Sequence, residues 1–379
     1  MFKWVAQSLS KPRYSVFQPG VIILTSRGVP DVSVFLLGMG PTRILVDVGW
    51  HTGAVTLLDD LQQAMENSGA QSLSAIIITH WHCDHILALD IVRDWHRQRF
   101  GTIPPSYKFP FPYPPKCGLP DVATFLPLAD EQLFPLGPCG PSWEYRARVL
   151  HTPGHSPDHA ALLVETVPSR EQAPAPGAAC PFPPFIICGD LFVGGGTSSI
   201  VIHLASYYVS IERLKQLCLG PDAARPSTAS PAQPVTVLIP SHGEPLRNPL
   251  SDIDRVRAAR VDRERRLLEQ LEQLEKDPSA VGGCTLRDFL GSYPPQVRKN
   301  PFLATGALLN AHAHLEKLVA EGRVVETRCD NVPQFSADEL ANTSRMYFPT
   351  ASEADLVSLT ELEPLRAVLR SHFRYRLVR

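Results

Sequence analysis

The segment Thr79-His80-Trp81-His82-Cys83-Asp84-His85 holds four potential metal ligands within six residues. It follows the apolar run Ser74-Ala75-Ile76-Ile77-Ile78, which reads as a buried strand. In an extended segment His80 and His82 project to the same side. Asp84 and His85 come as the chain turns, so they can face a second ion. Imidazole with carboxylate is the donor set that suits zinc and related divalent ions. Packing gives no reason for an apolar strand to end in three histidines and an acid.

Three later segments have the same form. His151-Thr-Pro-Gly-His155-Ser-Pro-Asp158-His159 follows the strand-like Tyr145–Leu150, and Pro153-Gly154 forces a turn that presents His155. Phe185-Ile-Ile-Cys-Gly-Asp190 is an apolar run ending in a carboxylate, and Val235-Thr-Val-Leu-Ile-Pro-Ser-His242-Gly243 is a β-branched run ending in a histidine. In a layered α/β fold, strand ends gather at one sheet edge. Seven ligands exceed the four of one tetrahedral zinc, but they suit two ions sharing a carboxylate. This assigns His80, His82 and His155 to one ion, Asp84, His85 and His242 to the other, and Asp190 to a bridge. His151, Asp158 and His159 then read as partners that hold the ligands or cap the turns.

On these motifs the chain resembles the metallo-β-lactamase superfamily. The carriers are Thr79–His85, Thr152-Pro-Gly-His155, Gly189-Asp190 and Ser241-His242-Gly243, together with Ile44-Leu-Val-Asp47-Val-Gly49 as an early strand with an aspartate turn. The resemblance implies a four-layered αβ/βα sandwich with metals at one edge, and Asp47 bracing the metal loop rather than ligating. Over roughly residues 15–325 the chain is also similar to single-strand endoribonucleases of animal mitochondria and to fungal thioesterases acting on carrier proteins, both within that family. It departs from them beside the metals: Ile86-Leu-Ala-Leu89 stands where a Gly-rich helix start is usual, and Ser198–Tyr208 lacks an acidic pair.

The expected cofactor is a pair of zinc ions, with manganese or iron as other possibilities. Two such ions, about 3.5–4 Å apart, lower the pKa of a shared water toward about 7. The expected activity is hydrolysis by a metal-bound hydroxide, with Asp84 both ligating and orienting the nucleophile. The first substrate expected is single-stranded RNA, and the alternative is a thioester of the hydroxyacylglutathione or acyl-carrier-protein type. A binding module with structural zinc is the third reading, and the seven-ligand set counts against it because structural zinc closes at four ligands.

The chain has 379 residues and a formal net charge of −2, so any nucleic-acid contact needs a local basic patch. Proline, at 37 residues, is about twice its usual ~5% and concentrates near 101–120, 167–184 and 219–234. Eight cysteines without a CxxC pair point to a reducing compartment, with Cys83 a packed bystander. No apolar run reaches the roughly 18 residues of a membrane span. The basic N-terminus, Lys3 to Arg27, is mildly like a transit peptide, which leaves mitochondrial matrix and cytoplasm both open. The oligomeric state cannot be read.

The positioning elements are legible in outline. Residues 14–50 read as a meander of strands, and residues 54–69, near 86–99 and about 206–218 as helices. Asp252–Lys276 reads as a long charged helix rich in arginine, either solvated through i, i+4 pairs or offering a phosphate-contacting face. On the second reading Arg260 and Arg263, with Tyr207, contact the substrate. Residues 284–326 resemble a winged-helix-like unit that ends in a hairpin start at Gly322. The expected division is a catalytic domain over 1–250, then a linker helix and C-terminal unit over 251–379. Within the tail, an apolar helix is expected near 359–370.

Overall fold

The computed structural model describes residues 14–28, 30–110, 120–194, 200–220, 233–276, 283–291, 293–299, 301–328 and 373–378. The proline-rich stretch 111–119 and the tail helix expected near 359–370 lie outside them.

Two sheets face each other. The first has the order β1 (Tyr14–Gln18), β2 (Val21–Ser26), β3 (Val32–Leu37), β4 (Thr42–Val46), β5 (Ser72–Ile77), β6 (Ser106–Lys108) and β7 (Leu126–Pro127). Its first four strands form an antiparallel meander, and from β4 to β7 the pairing is parallel. The second runs β12 (Leu238–Pro240), β11 (Phe185–Gly189), β10 (Ala160–Pro168), β9 (Trp143–His151) and β8 (Leu133–Pro138). Here only β11 and β12 are parallel.

Alternation along the strands builds the layers. Phe35, Val46 and Ile77 of the first sheet meet Tyr145, Val149, Leu162 and Ile187 of the second in one buried core. The opposite face of the first sheet, through Leu36, Leu45 and Ile76, packs on α1 (Ala54–Asn67) and α3 (Leu89–Phe100). The opposite face of the second, through Leu163 and Ile186, packs on α4 (Leu204–Leu219) and the start of α5 (Pro249–Leu274). This is the expected αβ/βα sandwich. Helix α1 buries Leu57, Leu61 and Met65, the face its sequence pattern marks. The helix expected near 86–99 is split: a single turn, α2 (Cys83–Ile86), carries Asp84 and His85 before α3 begins.

Helix α5 spans two cores. Its early residues Ile253 and Val256 belong to the core on the second sheet. Its later residues Leu267 and Leu271 join α6 (Leu286–Gly291), α8 (Pro301–Ala320) and Trp81 in another. Trp81 stands between His80 and His82, so the metal loop itself is packed into the C-terminal unit. That unit also contains α7 (Pro295–Lys299) and a two-stranded antiparallel ribbon of β13 (Val324–Arg328) and β14 (Phe373–Leu377). The strand that follows Gly322, where a hairpin start is expected, thus pairs among the described residues with a strand distant in sequence.

Candidate metal centre

Four strand ends deliver the site. β5 runs through Ile78 and Thr79 into His80, and β11 ends one residue before Asp190. β12 lies parallel to β11 and ends two residues before His242. The loop closing the β9–β10 hairpin presents His155. Backbone bonds lock these ends together: Ser241 N–H donates to the Gly189 carbonyl (3.0 Å), Gly194 N–H to the His242 carbonyl (2.7 Å) and Ala160 N–H to the Thr79 carbonyl (2.8 Å).

The seven side chains form two groups. Ligand atoms of His80, His82, His155 and Asp190 lie within 4.8 Å of one another, as do those of Asp84, His85 and His242. Asp190 faces both groups. Its Oδ2 is 3.6 Å from His155 Nε2 and 4.0 Å from His80 Nε2, and its Oδ1 is 3.5 Å from both His85 Nε2 and His242 Nε2. Asp84 Oδ2 lies 3.1 Å from His242 Nε2 and 3.6 Å from His85 Nε2.

Oxygen atoms behind the histidines fix which nitrogen carries the proton. His155 Nδ1 meets the Ile200 carbonyl at 2.7 Å and His242 Nδ1 meets the Asp31 carbonyl at 2.7 Å. A carbonyl only accepts, so both Nδ1 atoms are donors and both Nε2 atoms are left to face the site. His85 Nδ1 donates to Asp47 Oδ2 (2.8 Å), and its Nε2 faces Asp190 Oδ1 at 3.5 Å. Thr79 Oγ1 donates to Asp47 Oδ2 (2.9 Å) and so accepts from His80 Nδ1 (3.0 Å).

The result is that His80 and His155, whose Nδ1 atoms donate, both turn an Nε2 lone pair toward His82. His80 Nε2 is 2.9 Å from His82 Nδ1, and His155 Nε2 is 3.2 Å and 2.9 Å from the same two atoms. Converging lone pairs repel unless a cation lies among them, so this donor set fits a metal ion. Burial, with neighbouring imidazoles adding to it, pushes His80 well below its ordinary pKa and His82 down to about 3. Neutral imidazole is the form that ligates. The second group has the opposite bias. Burial opposes charge on His85 and His242, but the carboxylates outweigh it, holding His85 well above its usual value and His242 up at about 10. Burial likewise opposes the Asp190 carboxylate, yet His242 and His85 hold it well below the usual carboxylate range. In this group imidazolium supplies the positive charge that a cation would otherwise bring.

Residues behind the ligands are also in place. Asp47, at a positive φ of 60°, accepts from Thr79 N–H at 2.8 Å besides His85 and Thr79 Oγ1. It braces the loop without facing the ion cavity. His159 Nε2 accepts from the Asp190 backbone N–H at 3.1 Å, while its Nδ1 faces Thr152 Oγ1 at 2.9 Å. The Asp190 backbone is therefore pinned by His159. Gly189 is required there: at φ 53° an added Cβ would sit 2.4 Å from His159 Nε2. His151 and Asp158 belong to neither ligand group. His151 Nε2 donates to the Pro157 carbonyl at 2.9 Å.

Two expected substrate contacts are corrected. Tyr207 and Arg260 are 0% and 2% exposed, so neither can touch a substrate in this fold. Tyr207 O–H donates to the Leu191 carbonyl at 2.7 Å, and the Arg260 guanidinium lies over its ring and bonds Asn310 Oδ1. Arg263 is half-buried at the rim of a cleft of ≈ 410 Å³ with Arg266, Gln270, Phe289 and Tyr293.

The sequence reading also passed over Lys108, whose Nζ is 2.5 Å from Asp158 Oδ2 with both side chains buried. A lysine inside the apolar Tyr107–Phe109 neighbourhood was the available signal. The Lys108→Met variant leaves Asp158 buried without its cation. It is expected to lose about 3–5 kcal/mol in chemical denaturation. The Lys108→Met/Asp158→Leu double variant should recover most of that loss.

Comparison with known proteins agrees with this geometry. Residues 27–166 match the metallo-beta-lactamase superfamily. An atrochrysone carboxyl ACP thioesterase of Aspergillus novofumigatus is 25% identical over 279 residues, covering 72% of this chain and 70% of that protein. A beta-lactamase-like protein 2 homolog of Drosophila melanogaster is 24% identical over 304 residues, 77% of this chain and 83% of that one. Another matched relative is spanned over only 65% of its length. Among solved structures, a beta-lactamase domain protein of Burkholderia ambifaria superposes with a TM-score of 0.57 at 18% identity, covering 84% of this chain and 91% of that one. With the αβ/βα layers and the His/Asp group at one sheet edge, these matches identify the chain as carrying a domain of the metallo-beta-lactamase superfamily, a family of hydrolases.

Proposed function

We propose that the chain is a dinuclear metal-dependent hydrolase and that its substrate is an acyl thioester of the carrier-protein type. The observation that carries the hydrolase reading is Asp190, which turns one carboxylate oxygen to each ligand group. Divalent cations bound there would supply Lewis acidity, lowering the pKa of a held water toward about 7 and polarising the oxygen under attack. His80, His82 and His155 would hold one cation, Asp84, His85 and His242 the other, and Asp190 both. Zinc suits these donors, as do manganese and iron. The Asp84 carboxylate, at 14% exposure the most open of the carboxylates here, would orient the attacking water. Asp47, Thr79 and His159 keep the ligands aimed. A thiolate leaves without a strong acid, and no exposed general acid is needed for a thioester.

Charge on α5 supports the thioester over RNA. Arg255 pairs with Asp252 at 2.7 Å, Arg257 with Glu212 at 3.4 Å, Arg265 with Asp262 and Glu269 at 2.6 and 2.5 Å, and Arg266 with Asp262. With Arg260 buried and these four arginines matched by acids, the surface of α5 carries little net positive charge to draw in a polyanion. Several relatives carry the name of carrier-protein thioesterases.

A second reading, single-strand endoribonuclease, is favoured by the cleft beside α5. Arg263 and Arg266 flank the half-buried Tyr293 there, a charged rim with a ring on which a base can stack. In that reading attack falls on phosphorus. A side-by-side assay of an acyl-carrier thioester and a labelled single-stranded RNA over a salt series separates the two. Thioester turnover with a KM nearly flat in salt supports the first reading. RNA cleavage that weakens steeply with salt, without thioester turnover, replaces it with the second. No turnover of either by metal-loaded protein overturns both.

A further inference from the structure

The polar residues buried between α4, α5 and α8 have no role in hydrolysis itself, yet they end on two of the proposed ligands. Asn310 lies on α8 in the apolar run Leu308-Leu309-Asn310-Ala311. Its Oδ1 accepts from Arg260 Nη1 and, at 3.4 Å, from the Val201 backbone N–H. Its Nδ2 donates to the Gly306 carbonyl at 2.8 Å, which fixes the amide orientation. Val201 follows Ile200, whose carbonyl accepts from His155 Nδ1. The next two N–H groups, Ile202 and His203, both donate to the Gly154 carbonyl at 2.8 and 3.0 Å. Segment 200–203 is therefore a clamp on the His155 loop, and its other side is held by Asn310.

A second arm starts from the same guanidinium. Arg260 lies 5.6 Å from the Tyr207 ring centroid, and Tyr207 O–H donates to the carbonyl of Leu191, the residue after Asp190. Arg260 thus touches a residue on each route, one to His155 and one to Asp190. Both belong to the group that also contains His80 and His82. A buried guanidinium is costly unless its donors are met, so the arrangement has little freedom to shift.

From this we infer that Arg260 and Asn310 are positioning residues for the cation site formed by His80, His82, His155 and Asp190. The C-terminal unit completes the metal centre by aiming two of its ligands. The inference rests on the dinuclear reading above. Partners behind metal ligands commonly contribute 10–100-fold to metal affinity, and that range sets the expected effect.

The test is a stepwise cation titration of the metal-stripped full chain, with zinc in competition with a chromogenic chelator. The Asn310→Ala variant removes the clamp. The Arg260→Met/Asn310→Leu variant replaces the polar pair with apolar groups of similar volume, which guards against simple failure to fold. The wild type is expected to bind two cations. Both variants are expected to weaken one binding step by about 10–100-fold while the other moves less than about threefold. The apo-protein melting temperature of the double variant should stay near wild type. Two unchanged steps in both variants would overturn the inference. So would equal weakening of both steps in parallel with a fall in apo stability, because that is general loosening. A wild type that binds fewer than two cations would instead overturn the dinuclear reading on which the inference stands.

Discussion

The Asp190→Ala variant is expected to lose hydrolysis outright and to hold fewer cations than the two per chain expected of the wild type. The argument is geometric. Each of its oxygens faces a different group of imidazoles, at 3.5 and 3.6 Å. Loss of a partner behind a ligand already costs about 10–100-fold, and loss of the shared ligand itself must exceed that. The fold should survive, because the Asp190 backbone N–H and its bond to His159 are retained. Removing the carboxylate also removes the first of the two carboxylates, Asp190 and Asp84, that together raise His242 to about 10. In the metal-free variant His242 should therefore titrate closer to its ordinary value, which a histidine NMR titration reads directly. Activity within tenfold of wild type at full metal content would reject the bridging role.

The Gly154→Ala variant should be severely damaging although it touches no ligand. Gly154 has φ 137°, and an added Cβ would lie 2.4 Å from the Tyr207 Cα and 2.6 Å from its backbone nitrogen. The backbone conformation costs about 1–3 kcal/mol for a residue other than glycine. The clash is with helix α4 backbone, which cannot swing aside as a side-chain tip can. The loop must move, and it carries His155 and the carbonyl that clamps segment 200–203. The expected outcome is a loss of at least about 3 kcal/mol in stability together with impaired cation binding. Normal cation binding with unchanged stability would show that the loop is free to relocate.

Much of the centre was legible because metal chemistry narrows the residue types. Histidines and acids placed directly after β-branched runs have no packing reason to be there, and parallel neighbours such as β11 and β12 must bring Asp190 and His242 together. The layers were legible from alternation and from the Leu57, Leu61 and Met65 stripe. The roles of Tyr207 and Arg260 were not, because burial is a tertiary property. The signal was nevertheless present. Ile253, Val256, Arg260, Leu267 and Leu271 fall on one face of α5 and are all buried, so Arg260 occupies a position in an apolar stripe. A charge at such a position belongs to the core, while the arginines off that stripe face solvent. Asn310 carries the same mark in α8. The pairing of β13 with β14 was not legible, because strand pairing between distant segments leaves no short-range trace. Trp81 was read with the metal loop, and its anchoring in the C-terminal core needed the three-dimensional contacts.

The most direct test of the central claim is an anomalous-difference map from crystals of the chain grown with zinc. Two peaks are expected about 3.5–4 Å apart, one amid His80, His82 and His155, the other amid Asp84, His85 and His242, with Asp190 between them. A map with no peak at these residues, or one in which the imidazoles have turned away from one another, would contradict it.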